Sequence, residues 1–271
     1  MSADFGTVIL VGAGNMGGAL LSGWLKNGVP GKNVTVLDPS PSETMKKMIA
    51  DAGARHFTAL PEGMSADILF LAVKPQAMDV VLPAVKSAAG EKTVAVSVAA
   101  GKTLAYLASH LGEIGMVRAM PNTPAMVGRG VTGAFANSKV SGAQRDAVQA
   151  LLAVSGPVEW VATEADIDAV TAVSGSGPAY VFYLVECMAE AGRKLGLPAD
   201  LSMRLARETV AGAGEMLYQS SEEASKLRQN VTSPGGTTAA ALGVLMADDA
   251  MQPLFDTALE AARKRAEELG S

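Results

Sequence analysis

The first 162 residues contain short, continuous apolar runs separated by Gly- and Pro-rich breaks and by segments with helical periodicity. Such runs are typical of parallel strands that are buried on both faces of a sheet. The predicted strands are Val8–Val11, Val34–Leu37, Ile68–Val73, Thr93–Val98 and Gly115–Met120, with closing strands at Val131–Ala136 and Gly156–Val161. A helix is expected at about 141–154. The pattern predicts an α/β domain with a doubly wound sheet.

The pattern changes at about residue 163, where strand-like runs stop and long helical segments continue to the end of the chain. We therefore predict two domains, an α/β domain over residues 1–162 and an all-α domain over residues 163–271. The helix predicted for Ala179–Leu195 is apolar on nearly every face up to Glu186. A helix of that kind must be buried on all sides, and a domain of about 100 residues has little interior to bury it in. We predict that a second subunit covers it through a two-fold interface, with Cys187 as a small buried apolar residue.

A Gly-x-Gly-x-x-Gly motif follows the first predicted strand and leads into a helix that runs to about residue 27. Gly12 permits the tight turn, Gly14 allows the backbone to approach a pyrophosphate, and Gly17 allows the helix to pack closely on the strand. The pyrophosphate is expected at the helix N-terminus, against the N–H groups of Asn15 and Met16. This order of elements predicts a Rossmann-like dinucleotide-binding domain.

Asp38 stands at the end of the second predicted strand, where an acidic residue usually accepts hydrogen bonds from the adenine ribose and favours NAD. The alternative is that Asp38 only caps a loop. No arginine follows to hold a 2′-phosphate, although Ser40 is close by and Lys46 and Lys47 could reach.

Ligands of open α/β sheets bind beyond the carboxyl ends of the strands. The residues expected there to contact the dinucleotide are Ala72, Val73, Lys74, Pro75, Val98, Ala99 and Ala100. Arg118 could clamp a carboxylate, but its position at a strand end favours a structural ion pair.

A Pro-Gly-Gly break after Ser233 is followed by two threonines and a run of good helix formers. Free N–H groups and the positive end of a helix dipole favour an anion at such a site, and hydroxyl groups add hydrogen bonds. We interpret the segment as a seat for a small carboxylate, rather than an ordinary capped turn. The residues of this carboxylate seat are Ser233, Gly235, Gly236, Thr237 and Thr238.

Composition excludes several classes of function. The net charge of −5 leaves no basic stripe for nucleic acid, and a single cysteine excludes an internal disulfide. The two histidines lie far apart, so no metal site is expected. No apolar run is long enough to span a bilayer, and Met1–Thr7 lacks the basic region of a signal peptide. We therefore expect a cytoplasmic protein without a membrane partner.

Four motifs together resemble the pyrroline-5-carboxylate reductase family, which makes the last step of proline synthesis. They are Ala72–Pro75, Met120–Pro124, Ser174–Pro178 and the segment from Asn230 through Thr238. The resemblance implies NADPH or NADH as cofactor, and pyrroline-5-carboxylate as substrate. It also implies a homodimer through intertwined C-terminal domains, which can assemble further. Because Asp38 departs from the small hydroxyl residues that the family commonly carries there, we expect this protein to accept both cofactors.

The resemblance also implies roles for individual residues. Glu164 matches a substrate-binding position, although it could equally be a residue of the first helix turn. Asn230 matches a position that meets the cofactor, from the partner chain. Thr171 and Thr238 are the candidate hydroxyls near the imine nitrogen, and the sequence does not choose between them. The lack of an obvious catalytic acid favours an imine over a ketone, since an iminium nitrogen already carries its proton.

Two other functions are alternatives for a chain of this organisation. A β-hydroxyacid dehydrogenase also joins a Rossmann domain to a helical one. It would need a lysine in the helix after Ser174–Pro178, where none occurs before Lys194. A nucleotide-sensing protein without catalysis would not need a carboxylate seat.

Overall fold

The computed structural model describes residues 5–270. Within that range it contains an eight-stranded sheet with the order β3-β2-β1-β4-β5-β6-β7-β8. All neighbouring strands are parallel except β6 and β7, which are antiparallel. The strands are β1 Val8–Val11, β2 Val34–Leu37, β3 Arg55–Phe57, β4 Ile68–Leu71, β5 Val94–Ser97, β6 Gly115–Pro121, β7 Thr132–Ala136 and β8 Val158–Trp160.

The central strands are buried along their whole length, because helices cover both faces of the sheet. Every residue of β1, β2, β4 and β5 is buried. The register aligns Val11 with Leu37 on one side and Leu71 on the other, so the carboxyl ends of these strands meet at one edge. The predicted doubly wound sheet is therefore confirmed.

Strand β3 was not predicted from the sequence. Its Arg-His-Phe segment pairs only with β2 at the edge of the sheet, and none of its residues is fully buried. An edge strand needs no continuous apolar run, and this one has none.

The helices of the first half form the outer layers. They are α1 Asn15–Lys26, α2 Glu43–Asp51, α3 Met78–Val85, α4 Leu104–Leu111 and α5 Gly142–Leu152. One core cluster includes Trp24 of α1, whose ring meets Phe70 edge-on and whose indole N–H donates to the Leu151 carbonyl of α5 at 2.8 Å. The other cluster, on the opposite face, includes Leu82 of α3 and Leu107 of α4.

The remaining helices are α6 Asp166–Val170, α7 Gly177–Lys194, α8 Ala199–Gln219, α9 Ala224–Asn230, α10 Thr237–Leu245 and α11 Met251–Gly270. A single π-helical segment, Thr171–Gly175, follows α6 directly. No helix within residues 5–270 is long and apolar enough to cross a membrane.

The chain divides into two compact units at Gly175, later than the predicted boundary at residue 162. We call them the sheet unit, which runs to Gly175 and includes the chain from Ala262 onward, and the helical unit, Ser176–Ala261. The later boundary arises because α6 and the π segment pack on the sheet. Ile167 is buried, and Gly175 lies so close to Met120 that a Cβ there would be 2.6 Å from its methyl carbon.

The helical unit buries very little of its apolar surface when the chain is considered alone. Its buried residues are Ala189, Ser202 and Ala206. By contrast, Phe182 and Tyr183 of α7 are about two-thirds exposed, at 64% and 66%. Cys187, which was predicted to be buried, is exposed in the single chain.

Candidate active site

The glycines of the loop after β1 have three different environments. Gly12 has φ +89°, and a Cβ there would lie 2.9 Å from the Ala72 carbonyl oxygen. A Cβ on Gly17 would collide with the carbonyl oxygen of Gly12. Gly14 instead faces open space and forms the N-cap of α1 without any side-chain cap. Two glycines are therefore required by the backbone packing, while Gly14 leaves the helix N-terminus accessible to a ligand.

This difference predicts opposite outcomes for two alanine substitutions. Gly14→Ala should leave the unfolding free energy nearly unchanged but raise the Kd for a dinucleotide about tenfold, since the new methyl occupies the approach to the backbone. Gly17→Ala should instead cost about 1–3 kcal/mol of stability, because the neighbouring backbone cannot yield. Fluorescence titration of bound nicotinamide and urea unfolding measure the two effects. Equal changes in Kd and stability for both variants would contradict the assignment.

The Asp38 carboxylate binds two backbone N–H groups of its own unit. Its Oδ2 accepts from Ala13 N at 2.7 Å, and its Oδ1 accepts from Ser40 N at 2.8 Å. The carboxylate thus ties the glycine loop to the loop after β2, as the loop-cap interpretation expected. Each oxygen keeps capacity for a further hydrogen bond, so this role does not conflict with a ribose contact. Lys46 and Lys47 form exposed ion pairs within α2, with Glu43 and Asp51 respectively.

The loops after β4 and β5 leave the sheet beside the glycine loop. Ala72 N donates to the Val11 carbonyl at 2.8 Å, and Val98 N donates to the Leu71 carbonyl at 3.1 Å. Val73 and Pro75 are half-buried, while Lys74 is exposed. Ala99 and Ala100 continue this edge into a turn at Gly101. The predicted cofactor residues of the sheet unit therefore lie beyond the carboxyl ends of the central strands.

Arg118 forms the buried ion pair that its strand position predicted. Its side chain is only 5% exposed, and its Nη2 lies 2.6 Å from Oδ1 of Asp168 in α6. Its Nη1 lies 3.6 Å from Oε1 of Glu164. The same Glu164 oxygen accepts a hydrogen bond from Leu104 N at 2.7 Å. Arg118 therefore holds α6 on the sheet, and the alternative role as a carboxylate clamp has no support here.

Glu164 lies in the turn before α6 rather than in the first helical turn. Its contacts with Arg118 and with the N-terminus of α4 connect three elements of the sheet unit. No local pattern in the sequence indicates the contact between Glu164 and Leu104, because the two residues are far apart along the chain. The substrate-binding role of Glu164 stays a prediction.

Thr171 begins the π segment, which was not predicted from the sequence. Its hydroxyl donates to the Ile167 carbonyl at 2.7 Å. The Ser174 hydroxyl oxygen in the same segment is buried without a hydrogen-bond partner. Single π turns are frequent at functional sites, but a five-residue segment is too short to produce a periodic pattern in the sequence.

The predicted carboxylate seat forms the turn into α10. Gly235 has φ +69°, and Gly236 N donates to the Ser233 carbonyl at 3.1 Å. Gly236 is the N-cap of α10, no side chain caps the helix, and its first backbone bond is Ala240 N to Gly236 O. The first-turn N–H groups and the hydroxyls of Ser233, Thr237 and Thr238 form no hydrogen bonds with other described residues. These donors are available to an anion.

Asn230 is the last residue of α9, just before this turn. Its side-chain amide donates to Oε2 of Glu222 at 3.2 Å. That contact holds the end of α9 within the helical unit. The predicted contact with a cofactor remains a prediction. No group of His, Cys, Asp and Glu residues in the described range could hold a metal ion.

The largely parallel sheet and its accessible glycine loop define a Rossmann-like dinucleotide-binding fold, which the chain combines with a helical second unit. Residues 164–269 match the family described as pyrroline-5-carboxylate reductase dimerisation, and residues 7–101 match the family of coenzyme F420-dependent NADP oxidoreductases. The chain belongs to the pyrroline-5-carboxylate reductase family.

Individual relatives cover nearly the whole chain. A pyrroline-5-carboxylate reductase of Pseudomonas aeruginosa is 41% identical over 266 residues, covering 97% of this chain and 96% of the relative. The solved structure of the Coxiella burnetii enzyme is 36% identical with a TM-score of 0.91, over 98% of this chain and 99% of the other. The Plasmodium falciparum reductase, solved with NADP bound, is 30% identical with a TM-score of 0.80, over 98% of both chains.

Proposed function

We propose that this protein uses NADPH or NADH to reduce 1-pyrroline-5-carboxylate to L-proline. The observation that carries the proposal is the uncapped start of α10, where unpaired N–H and hydroxyl donors suit a small carboxylate. The accessible glycine loop supports the cofactor half of the proposal. Relatives of this length and identity, named as reductases of this imine acid, support the choice of substrate.

The reduction of an imine requires little from the protein beyond binding and orienting the substrate and the cofactor. When bound, the reduced nicotinamide supplies a hydride, which forms the new C–H bond at the imine carbon while the C=N π electrons move to nitrogen. If the iminium form binds, its nitrogen already carries the proton, so no strong acid is needed. The N–H groups of α10 hold the carboxylate and fix which carbon is presented.

Thr238 is the better candidate for the hydroxyl at the ring nitrogen. The Thr171 hydroxyl donates to the Ile167 carbonyl, so its proton is already engaged in the helix. The Thr238 hydroxyl has no partner among residues 5–270 and is adjacent to the donors of the carboxylate seat. The difference in hydrogen bonding supports Thr238 over Thr171 for this role.

A spectrophotometric assay tests the proposed reaction. Oxidation of NADPH or NADH at 340 nm should depend on added pyrroline-5-carboxylate. The chain should show no reverse activity with 3-hydroxy acids, because the last residue of α7, Lys194, is an exposed side chain paired with Glu190 at 3.7 Å. Activity with 3-hydroxy acids and none with the imine would favour the dehydrogenase. Nucleotide binding without either activity would favour a sensor.

Cofactor choice gives a second test. We expect kcat/KM for NADPH to exceed that for NADH by less than about tenfold, since the Asp38 carboxylate is unfavourable to a 2′-phosphate and suits the ribose hydroxyls of NADH. Steady-state kinetics with both cofactors at saturating imine measure the ratio. A preference for NADPH above tenfold would count against any contact between Asp38 and the ribose.

We also propose a homodimer formed through the helical unit, with assembly into a larger homo-oligomer as an extension. In the single chain, the helical unit buries no large apolar side chain. Such a unit does not gain enough hydrophobic free energy to offset the conformational entropy lost on folding. The match of residues 164–269 to a dimerisation family supports the same conclusion. Sedimentation equilibrium should give a mass of at least two chains, and a monomer would contradict the proposal. The cytoplasmic location and the absence of a nucleic-acid partner stay predictions.

A further inference from the structure

The loop between β5 and α4, residues 98–103, contacts the last turn of α11. Gly101 lies so close to that turn that a Cβ added to it would be 2.8 Å from the Leu269 Cβ and 2.9 Å from the Leu269 carbonyl oxygen. A Cβ on Gly270 would be 3.5 Å from the Thr103 methyl group. Both segments belong to the sheet unit, in which α11 is anchored by the buried Ala266. The last turn of α11 therefore packs directly against this loop.

The contact requires glycine for two independent reasons. Gly101 has φ +73°, a conformation that residues with a Cβ adopt at a cost. In addition, the Leu269 backbone occupies the place of a Cβ. Gly112, at the end of α4, has φ +85° but no neighbouring atom within 4 Å of its would-be Cβ. Both glycines therefore have a positive φ, but only at Gly101 would an added Cβ meet a neighbouring segment.

Hydrogen bonds also fix the β5–α4 loop. Ala99 N donates to the Ser97 hydroxyl at 3.3 Å, and Lys102 N donates to the Ala99 carbonyl at 3.4 Å. The Glu164 carboxylate binds Leu104 N where the loop enters α4. The bonds of Ala99 N and Leu104 N hold the two ends of the loop, and the bond between Lys102 N and the Ala99 carbonyl closes the turn at Gly101 that contacts the end of α11. Without that contact, the middle of the loop would lose a backbone neighbour.

We propose that the C-terminal turn, Leu269–Gly270, is a positioning element for the dinucleotide, because it sets the conformation of the β5–α4 loop. The inference rests on the cofactor half of the proposed function and on the prediction that Val98, Ala99 and Ala100 contact the dinucleotide. A loop already held in its bound conformation loses less entropy when the ligand binds, so its support contributes to affinity.

A double-mutant cycle tests the proposal with the full protein. One change is Gly101→Ala, with Gly112→Ala as its matched control. The other is a chain ending at Glu268, with a chain ending at Gly270 as its control. Gly101→Ala and the shorter chain should each raise the Kd for NADPH about fivefold to tenfold, while both controls change it less than about twofold. In the shortened chain, Gly101→Ala should raise the Kd less than it does in the full chain, because the collision with Leu269 is gone and only the positive φ of residue 101 still opposes the substitution.

Fluorescence titration measures the Kd without using the imine, and the melting temperature is recorded in parallel. A merely structural contact would lower the melting temperature and leave the Kd of every variant unchanged, which would overturn the proposal. Full additivity of the two changes would overturn it as well. If the Kd pattern holds but the imine is not reduced, the positioning role stands and the proposed reaction fails.

Discussion

Replacing Thr238 by alanine should lower kcat/KM for pyrroline-5-carboxylate about thirtyfold, since a hydrogen bond to a charged group, or to a group that becomes charged in the transition state, contributes about 2 kcal/mol. The hydroxyl has no partner in the described chain, so its loss removes a ligand contact rather than a structural one. Alanine is also a better helix former than threonine, so α10 should not be weakened. Steady-state kinetics with varied imine at saturating NADPH measure the change.

Thr171→Ala is the matched control for this substitution. Because the Thr171 hydroxyl is bonded to the Ile167 carbonyl, its removal should change kcat/KM less than about fivefold. The Kd for NADPH should stay the same in both variants. Unchanged kinetics for Thr238→Ala would contradict a contact between its hydroxyl and the substrate. A larger loss of kcat/KM for Thr171→Ala would assign that contact to the π segment.

Replacing Arg118 by methionine should reduce the free energy of unfolding by about 3 kcal/mol, because it leaves a largely buried carboxylate without its partner. The Asp168 side chain is only 14% exposed and lies 2.6 Å from the guanidinium. Urea unfolding at one fixed protein concentration measures the loss, since an oligomer's stability depends on concentration.

The control for Arg118→Met is the double variant Arg118→Met/Asp168→Leu. Apolar residues in place of a buried pair are often neutral, so the double variant should recover most of the lost stability. The hydrogen bond from Leu104 N to Glu164 involves neither substituted residue, so we expect it to persist in both variants. A double variant as unstable as the single one would show that the packing of α6, and not the buried charge, explains the effect.

Much of the fold was predictable, because buried strands and glycine turns leave local patterns in a sequence. The runs at Val8–Val11 and Ile68–Leu71 mark strands buried on both faces, and a Gly-x-Gly-x-x-Gly break between a strand and a helix marks the loop. Edge strand β3 left no such pattern, since Arg55 and His56 are polar and none of its three residues is fully buried. Apolar periodicity reports burial, and an edge strand needs backbone pairing more than burial.

The parts of the site that depend on distant contacts were not predictable from local patterns. The bond between Glu164 and Leu104 N joins elements far apart in sequence, and the two-unit boundary depends on how α6 packs against the sheet. The contact of Leu269 with Gly101 likewise depends on where α11 ends in space. In contrast, the turn into α10 could be inferred locally. The six residues Ser233–Thr238 supply a turn, a helix start and hydroxyl donors.

A crystal structure of the protein with proline and NADP⁺ bound tests the proposed site most directly. We expect the proline carboxylate to accept hydrogen bonds from the first-turn N–H groups of α10 and from hydroxyls of Ser233, Thr237 or Thr238. We also expect the pyrophosphate at the N-terminus of α1, beside Gly14. A proline carboxylate bound by other residues, with the start of α10 exposed to solvent, would contradict the proposed site.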